Sequence, residues 1–330
     1  MQMKWFSAKR IFLDYASATP VCEEARREMK KYWSEEFYNP NAIYAEGLRA
    51  KAVVEDCRAR IAKIIGAGSK DIIFTAGGTE ANVLAITGVK PGRIVVEEGS
   101  HPSVSEAANG ISGKEITLIS SVATDNKLGR KIREERKKNP PAGGSEYPLL
   151  HIDASQTAAY FNVGLEVLSC DLLTLDSAKL YGPKGVGALV VKRGVELKLP
   201  PRGTPPVPLI VGFAKALEIV ARDRETEFKR LSALSALFRK MVGVSLPEAQ
   251  VTYNEPNIVN VSVSGILPEL LVLALERASV LVSAGPACNS SKPEAPDTPV
   301  RVSLGRFTTE NDVKKAAEIF CNTVKNLIKS

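Results

Sequence analysis

Short apolar runs rich in β-forming residues alternate with helix-like stretches over the first two thirds of the chain. The runs lie at 72–74, 93–96, 115–119, 149–152, 172–175 and 187–191. This alternation predicts an α/β fold, in which a mostly parallel sheet is flanked by helices. The remainder predicts a smaller α+β part. Its elements are a long helix at about 208–242, a strand at 257–263, a helix at 267–278 and a strand at 280–282.

Four polar residues follow these runs within a few positions: Thr79, His101, Asp153 and Lys179. Open α/β sheets bind ligands outside the carboxyl ends of their strands. We therefore expect one pocket to collect these side chains.

Lys179 and Asp153 together suit pyridoxal 5′-phosphate (PLP). A lysine amine forms a Schiff base with an aldehyde, and a carboxylate keeps a pyridine nitrogen protonated, which makes the ring an electron sink. Taken alone, Lys179 is an ordinary solvated lysine and Asp153 an ordinary helix cap. The pair indicates a PLP site only in combination with the motifs that surround it.

The turn Gly77–Glu80 separates a predicted strand from a predicted helix, where free N–H groups favour a phosphate. Such turns also occur without a ligand. His101 offers a flat ring that stacks on a cofactor and moves protons, although a lone loop histidine is more often incidental. His151 lies within a strand, which favours a core or supporting role.

Cys288 lies in the segment S-A-G-P-A-C-N-S-S-K-P, which predicts a thiol on an exposed loop rather than a small buried hydrophobe. The other four cysteines lie in helical or strand patterns and are predicted to be structural. Arg301 and Arg306, in R-V-S-L-G-R-F, are candidates to hold a substrate carboxylate in bidentate fashion. Either one alone is more often a surface arginine.

Composition excludes several other classes. No apolar stretch reaches membrane-spanning length, and the first ten residues lack the apolar centre of a signal peptide. The five cysteines are widely spaced and show no metal-type pairing, which predicts a cytoplasmic protein without a metal site. The net charge of +7 is partly concentrated in 130–138, which is predicted to be a solvated helix face in preference to a docking patch. No nucleic-acid-binding motif accompanies it.

Read in order, several segments resemble the cysteine desulfurases of the class V, fold-type I PLP-dependent aminotransferase superfamily. They are F-L-D-Y-A-S-A-T-P-V at 12–21, N-P-N-A at 39–42, F-T-A-G-G-T-E-A-N at 74–82, G-S-H at 99–101, H-I-D-A-S-Q-T at 151–157, K-L-Y-G-P-K-G at 179–185, R-G-T at 202–204, P-N-I at 256–258, S-A-G-P-A-C at 283–288 and R-V-S-L-G-R-F-T-T-E at 301–310. The resemblance implies a large PLP-binding domain over 16–222 and a small domain formed by 1–15 and 223–330.

The resemblance also implies an activity, the conversion of L-cysteine into L-alanine. Lys179 would bind the cofactor covalently and move protons at the substrate Cα. Asp153 would pair with the ring nitrogen and His101 would stack on the ring. Cys288 would attack the substrate sulfur and carry it as a persulfide. An acceptor protein, such as an iron–sulfur scaffold or a thio-cofactor or tRNA-thiolation partner, would then receive the sulfur.

Binding roles follow from the same resemblance. Gln156 and Asn126 would hydrogen-bond near the ring hydroxyl, and Arg301 with Asn39 would hold the substrate carboxylate. The phosphate would be bound by Gly78, Thr79 and Ser177, with Thr204 of the second subunit of a homodimer.

The chain departs from the family pattern in four places. Asp176-Ser177-Ala178-Lys179 replaces the usual S-x-H-K, so two phosphate contacts are missing. The segment between His101 and Asn126 is short, which predicts a trimmed sheet edge. The usual Gly/His-rich segment is absent near 196–201, and only twelve residues separate Cys288 from Arg301. The short loop predicts a slow desulfurase whose acceptor docks close to the pocket.

Three alternatives to the desulfurase remain open from the sequence. A selenocysteine lyase would use the same residues. Another class V aminotransferase would need Lys179 but not Cys288. A degenerate, non-catalytic homologue would act as a scaffold, and failure to bind PLP would distinguish it.

Overall fold

The computed structural model describes residues 10–123, 131, 134, 148–201, 203–285 and 298–329. Within them the strands are β1 (Ile11–Phe12), β2 (Ile72–Thr75), β3 (Arg93–Val96), β4 (Ile116–Val122), β5 (Leu149–Asp153), β6 (Leu172–Asp176), β7 (Gly187–Val191), β8 (Gln250–Glu255), β9 (Ile258–Ser262), β10 (Val280–Leu281), β11 (Ser283–Ala284) and β12 (Val300–Ser303). The α-helices are α1 (Glu23–Met29), α2 (Ala45–Ile65), α3 (Gly78–Thr87), α4 (Pro102–Ala108), α5 (Leu165–Leu168), α6 (Val207–Ser245), α7 (Pro268–Arg277) and α8 (Glu310–Lys329). Short 3₁₀ turns lie at Lys30–Trp33, Ser69–Asp71, Thr157–Ala159 and Ser177–Lys179.

The chain divides into two compact units. The larger unit is Thr19–Arg224, and the smaller one combines Met1–Ala18 with Glu225–Ser330. Helix α6 begins in the larger unit and ends in the smaller one.

A six-stranded sheet in the order β2-β7-β6-β5-β4-β3 forms the centre of the larger unit. Strands β3 to β6 are parallel, and β7 is antiparallel to both of its neighbours. Strands β5 and β6 are almost continuously apolar and buried, as expected of strands covered on both faces. The predicted α/β architecture with a mostly parallel sheet is confirmed.

The strand directions place the polar residues of interest at one edge of the sheet. Because β7 is antiparallel to both β2 and β6, strand β2 runs in the same direction as β6 and the other parallel strands. The segments that follow β2, β3, β5 and β6 therefore leave the sheet at the same edge, where a ligand site of this architecture is expected.

Helix α3 packs against this sheet through a continuous apolar cluster. Leu84 and Ile86 of the helix lie in one buried cluster with Leu118, Leu172 and Leu189 of three strands. Each such side chain contributes about 1.5–3 kcal/mol when fully buried. This packing fixes the N-terminus of α3 close to the carboxyl ends of β5 and β6.

The smaller unit holds an antiparallel sheet in the order β11-β12-β9-β8 and a parallel pair formed by β1 and β10. Helix α8 is amphipathic and turns one face to the core. Its buried residues are Val313, Ala316, Ala317, Phe320, Cys321 and Val324.

Candidate active site

The turn between β2 and α3 lies close to two other strands because glycine occupies the contact positions. A Cβ atom on Gly187 would lie 2.6 Å from the Leu175 carbonyl oxygen and 2.8 Å from the Gly77 carbonyl carbon. A Cβ on Gly78 would lie 2.8 Å from Ser155 Oγ. The turn therefore presents its backbone directly to the ends of β5 and β6.

A cavity of about 550 Å³ opens at this turn. The N–H groups of the first helical turn have no partner within the helix and favour an anion. Two carboxylic acids, Glu80 and Asp176, nevertheless line the same cavity. Other lining residues are Gly77, Gly78, Thr79 and Ala178.

Asp153 ends β5 with both carboxylate oxygens engaged. Oδ1 accepts a hydrogen bond from the N–H of Ser155 at 2.9 Å, and Oδ2 accepts one from Nδ2 of Asn82 at 2.8 Å. Hydrogen bonds of this kind hold a carboxylate in one orientation. Asp153 is thus a fixed negative charge at the edge of the sheet.

A chain of hydrogen bonds links Asp153 to His101. Asn82 Nδ2 also donates to Ser103 Oγ at 3.0 Å, and Ser103 Oγ lies 2.6 Å from His101 Nδ1. The backbone N–H of Ser103 donates to the same ring nitrogen at 3.0 Å. Because Nδ1 accepts, the ring hydrogen of His101 resides on Nε2.

Asn82 and Ser103 were not predicted as site residues. Asn82 is 1% exposed, although it lies in the apolar helix segment A-N-V-L-A-I. A polar residue on the buried face of an apolar helix needs hydrogen-bond partners. That mismatch was the signal in the sequence that could have identified Asn82.

Lys179 ends the 3₁₀ turn that follows β6, and Asp176 caps that turn. Asp176 Oδ1 accepts from the N–H of Ala178 at 3.0 Å. Burial raises the pKa of Asp176, whereas the Ala178 N–H, the Lys179 charge and the Gly78 N–H lower it, and the Asp153 charge raises it further. Lys179 and Asp153 are therefore both electrostatic neighbours of Asp176.

His151 lies beneath Asp153 in the core and is completely buried. Its Nδ1 lies 2.8 Å from Ser120 Oγ and its Nε2 lies 3.0 Å from Thr174 Oγ1. Burial lowers the pKa of His151 to about 4, against the opposing effect of the Asp153 charge. A neutral, fully hydrogen-bonded ring supports the sheet edge and has no access to a substrate.

The other predicted residues of the larger unit lie in different environments. The Ser177 hydroxyl is buried beside Gly182, and the cavity wall at this point is formed by its neighbours Asp176 and Ala178. Gln156 is half-buried, and Thr204 and Asn39 are exposed. Asn126 lies outside the described residues.

Arg301 belongs to the smaller unit, on β12, and is 4% exposed. Its guanidinium donates to the Gly285 carbonyl at 3.0 Å, to Asp14 Oδ1 at 2.9 Å and to Ser17 Oγ at 2.8 Å. The Nε atom of Arg301 is buried and has no hydrogen-bond partner among the described residues. The guanidinium plane is thus held firmly by a carboxylate and a backbone carbonyl.

Cys22, Cys57, Cys170 and Cys321 are buried free thiols. Burial raises the pKa of Cys57 to about 12 and also raises that of Cys321. Since the thiolate is the nucleophilic form, these two thiols are inert at neutral pH. Cys288 lies outside the described residues.

Within the described ranges, no group of His, Cys, Asp and Glu side chains is arranged to hold a metal ion. None of the helices in those ranges combines the length and apolar character needed to span a bilayer.

Comparison with known proteins first defines the class. The family model described as aminotransferase class-V matches residues 11–139, 144–202 and 201–316. A solved structure described as a NifS-like protein superimposes with a TM-score of 0.84 at 24% identity, covering 96% of this chain and 99% of that one. The fold is that of a class V aminotransferase.

Curated relatives narrow the assignment. The cysteine desulfurase IscS of Dictyoglomus turgidum is 31% identical, with 97% of this chain and 95% of the relative covered. The cysteine desulfurase IscS 1 of Archaeoglobus fulgidus is also 31% identical, with 96% and 97% covered. The chain therefore belongs to the class V aminotransferase family and, within it, to the cysteine desulfurases, a PLP-dependent family. The first alignment spans 383 residues, more than the 330 of this chain, so parts of that relative have no counterpart here.

Proposed function

We propose that this protein is a PLP-dependent cysteine desulfurase, which converts L-cysteine into L-alanine and carries the released sulfur as a persulfide on Cys288. The observation that carries the proposal is the arrangement of polar residues at the edge of the six-stranded sheet. One hydrogen-bonded chain joins Asp153 to His101 through Asn82 and Ser103, and Lys179 lies within electrostatic reach of the same edge.

The residues of the larger unit fit PLP. Ser155 Oγ is buried without a hydrogen-bond partner among the described residues, and it lies where a Cβ on Gly78 would collide. A hydroxyl and the N–H groups at the start of α3 suit a phosphate, although the N–H of Gly78 already donates to Asp176. The fixed Asp153 carboxylate suits a pyridinium N–H, and the Lys179 amine suits an aldehyde. Gln156 and Asn126 are proposed to bind the ring hydroxyl, and Ser177 to support the phosphate turn from beneath.

When bound, PLP draws electrons away from the substrate Cα and weakens the bonds around it. The protein supplies the proton carriers. Lys179 Nζ is proposed to move the proton at the substrate Cα. His101 is proposed to stack on the ring with Nε2 as its hydrogen-bearing atom, because Nδ1 is already occupied by Ser103.

Sulfur transfer is assigned to the one cysteine that lies outside the described residues. The Cys288 thiolate attacks the sulfur of L-cysteine, an S–S bond forms and the Cβ–S bond breaks. The sulfur atoms are oxidised to the persulfide level, and Cβ is reduced to the methyl group of alanine by taking up the proton that the thiol lost. An acceptor protein, such as an iron–sulfur scaffold, then removes the terminal sulfur.

The substrate carboxylate is proposed to bind Arg301 together with Asn39. The ion pair between Arg301 and Asp14 fixes the guanidinium plane before the substrate arrives. A preorganised donor loses less side-chain entropy on binding than a mobile one.

We further propose a homodimer in which Thr204 contributes to the cofactor site of the partner subunit. Support comes from large apolar side chains that remain exposed on one segment of the larger unit. They are Trp33 at 60%, Phe37 at 65%, Ile43 at 93%, Tyr44 at 52% and Leu48 at 55%. Such clusters mark interaction surfaces. The two units are proposed to be the large and small domains of the family, and the free buried thiols favour a reducing cytoplasm.

The test combines a cofactor spectrum with a product assay. Purified protein supplied with PLP should show the visible absorbance of a PLP–lysine adduct and release alanine from L-cysteine. Lys179→Ala should abolish both signals. Cys288→Ala should retain the absorbance and lose alanine release, whereas the control Cys321→Ala should retain both. Alanine release that survives in Cys288→Ala would replace this proposal with another class V reaction, and absence of cofactor binding would support a scaffold.

A further inference from the structure

The Asp176 carboxylate lies at the N-terminus of α3, beside Gly78. It accepts from the N–H of Ala178 at 3.0 Å and also from the N–H of Gly78, the first residue of α3. Its Oδ2 lies 3.5 Å from the Cβ position of Gly78. A carboxylate thus uses one of the helical N–H groups that bind anions in such turns.

Charged groups of both signs surround Asp176. Lys179 supplies positive charge from the same 3₁₀ turn, and Asp153 supplies negative charge from β5. Glu80, from the first turn of α3, lines the same cavity and accepts from the N–H of Ala76. A phosphate would enter a cavity that already holds two carboxylic acids.

We propose, as an extension of the proposed function, that Asp176 takes up a proton when the cofactor phosphate binds, so that this residue sets the pH dependence of cofactor affinity. In the protonated form the Asp176 O–H donates to a phosphate oxygen, while the other carboxyl oxygen keeps its bond with the Ala178 N–H. The proton comes from solvent, and the new O–H bond of Asp176 is the only covalent bond that forms. Burial already raises the pKa of Asp176 and so favours the protonated form.

Linkage gives the sign and size of the effect. If the complex binds one proton more than the free components, affinity is highest at low pH and falls by up to about tenfold per pH unit as pH rises. The phosphate group has its own second pKa near 6. Measurements between about pH 7.5 and pH 9, where the free phosphate is almost fully dianionic, therefore isolate the contribution of the protein.

The experiment uses two probes that lack the aldehyde and therefore form no covalent bond with Lys179. The affinity of the full-length protein for pyridoxine 5′-phosphate and for pyridoxine is measured by calorimetry across that pH range. The ratio of the two affinities should fall with pH in the wild type. Calorimetry in two buffers of different ionisation enthalpy should show an uptake of about one proton per phosphate ligand bound.

Asp176→Asn should remove the pH dependence of the ratio and the proton uptake, since it keeps the shape but cannot ionise. Asp176→Ser restores the residue type usual in the family and serves as a second variant, with circular dichroism to verify folding of both. Glu80→Gln, on the same cavity, should retain the pH dependence. A flat ratio in the wild type, or an unchanged slope in Asp176→Asn, would overturn the proposal. If PLP itself does not bind the wild type at any pH, the proposed function fails instead.

Discussion

The contact between Asn82 and Asp153 predicts a pH-dependent loss of stability in Asn82→Asp. The substitution keeps the size and shape of the side chain and places a second carboxyl group where Nδ2 now lies, 2.8 Å from Asp153 Oδ2. Asn82 is 1% exposed, so the introduced carboxyl group cannot move into water without disturbing α3. Two carboxylates at this distance would repel each other by about 6 kcal/mol at an effective dielectric constant of about 20.

The folded protein avoids that repulsion by keeping one carboxyl protonated. The folded-state pKa of the introduced group is then raised above its unfolded value of about 3.9. An acid whose folded-state pKa is raised does not destabilise the protein below its unfolded pKa. As pH rises above that value, the free energy of unfolding falls by about 1.4 kcal/mol per pH unit until the repulsion limit is reached. Between pH 5 and pH 7 the variant should therefore lose about 2.7 kcal/mol relative to the wild type.

Urea unfolding followed by far-UV circular dichroism at pH 5, 6 and 7 measures this difference. Asn82→Leu is the matched control, because it removes the same hydrogen bonds without adding a charge, so its loss should be independent of pH. An Asn82→Asp loss that is equal at pH 5 and pH 7 would refute the contact with Asp153 and, with it, the chain of hydrogen bonds to His101.

Three further outcomes follow from other parts of the structure. Ile43→Asp should convert the proposed dimer into a monomer, as measured by light scattering. Val167→Asp, at an exposed position of the same unit outside the cluster, should leave the dimer intact. A dimeric Ile43→Asp protein would exclude this surface as the dimer interface. Gly187→Ala should cost about 1–3 kcal/mol in thermal unfolding because its Cβ would meet backbone at 2.6 Å, while Gly203→Ala, with open space around it, should be neutral; equal effects would contradict the close approach. Burial lowers the pKa of His151 to about 4. The stabilisation that the neutral ring provides is therefore fully present above the unfolded pKa of about 6.5 and is lost as pH falls toward 4. The wild type should lose roughly 3 kcal/mol over that range, and His151→Gln should lose less; parallel curves would show that His151 is not buried.

The strands of the larger unit were predictable because their apolar runs are short, β-rich and bounded by turn residues. The pattern missed β8, whose sequence Gln-Val-Thr-Tyr-Asn-Glu is largely polar. That strand is the edge strand of an antiparallel sheet, and one face of such a sheet can be exposed to water. The apolar pattern also predicted the end of β4 too early, at residue 119 instead of Val122. The strand continues through Ser120 and Ser121 because their hydroxyls pair with His151 and Glu97.

The same limitation applies to the site. Strand ends identify which residues share an edge, because parallel strands finish together, and this step was sufficient to group Asp153 with Lys179. Periodicity carries no information on hydrogen bonds between distant segments, so the roles of Asn82 and Ser103 emerge only from the three-dimensional structure.

Asp176 shows how the two levels combine. The sequence identified it as a departure from the family pattern. The structure shows the cap on Ala178 together with a bond from Gly78 and a place on the cavity wall. A residue that only capped its own turn would be indifferent to an anion in the cavity. A carboxylate that shares the helical N–H groups must respond to one, either by moving or by taking up a proton. The hydrogen bond with Ala178 restrains the carboxyl group from moving, so proton uptake is the expected response.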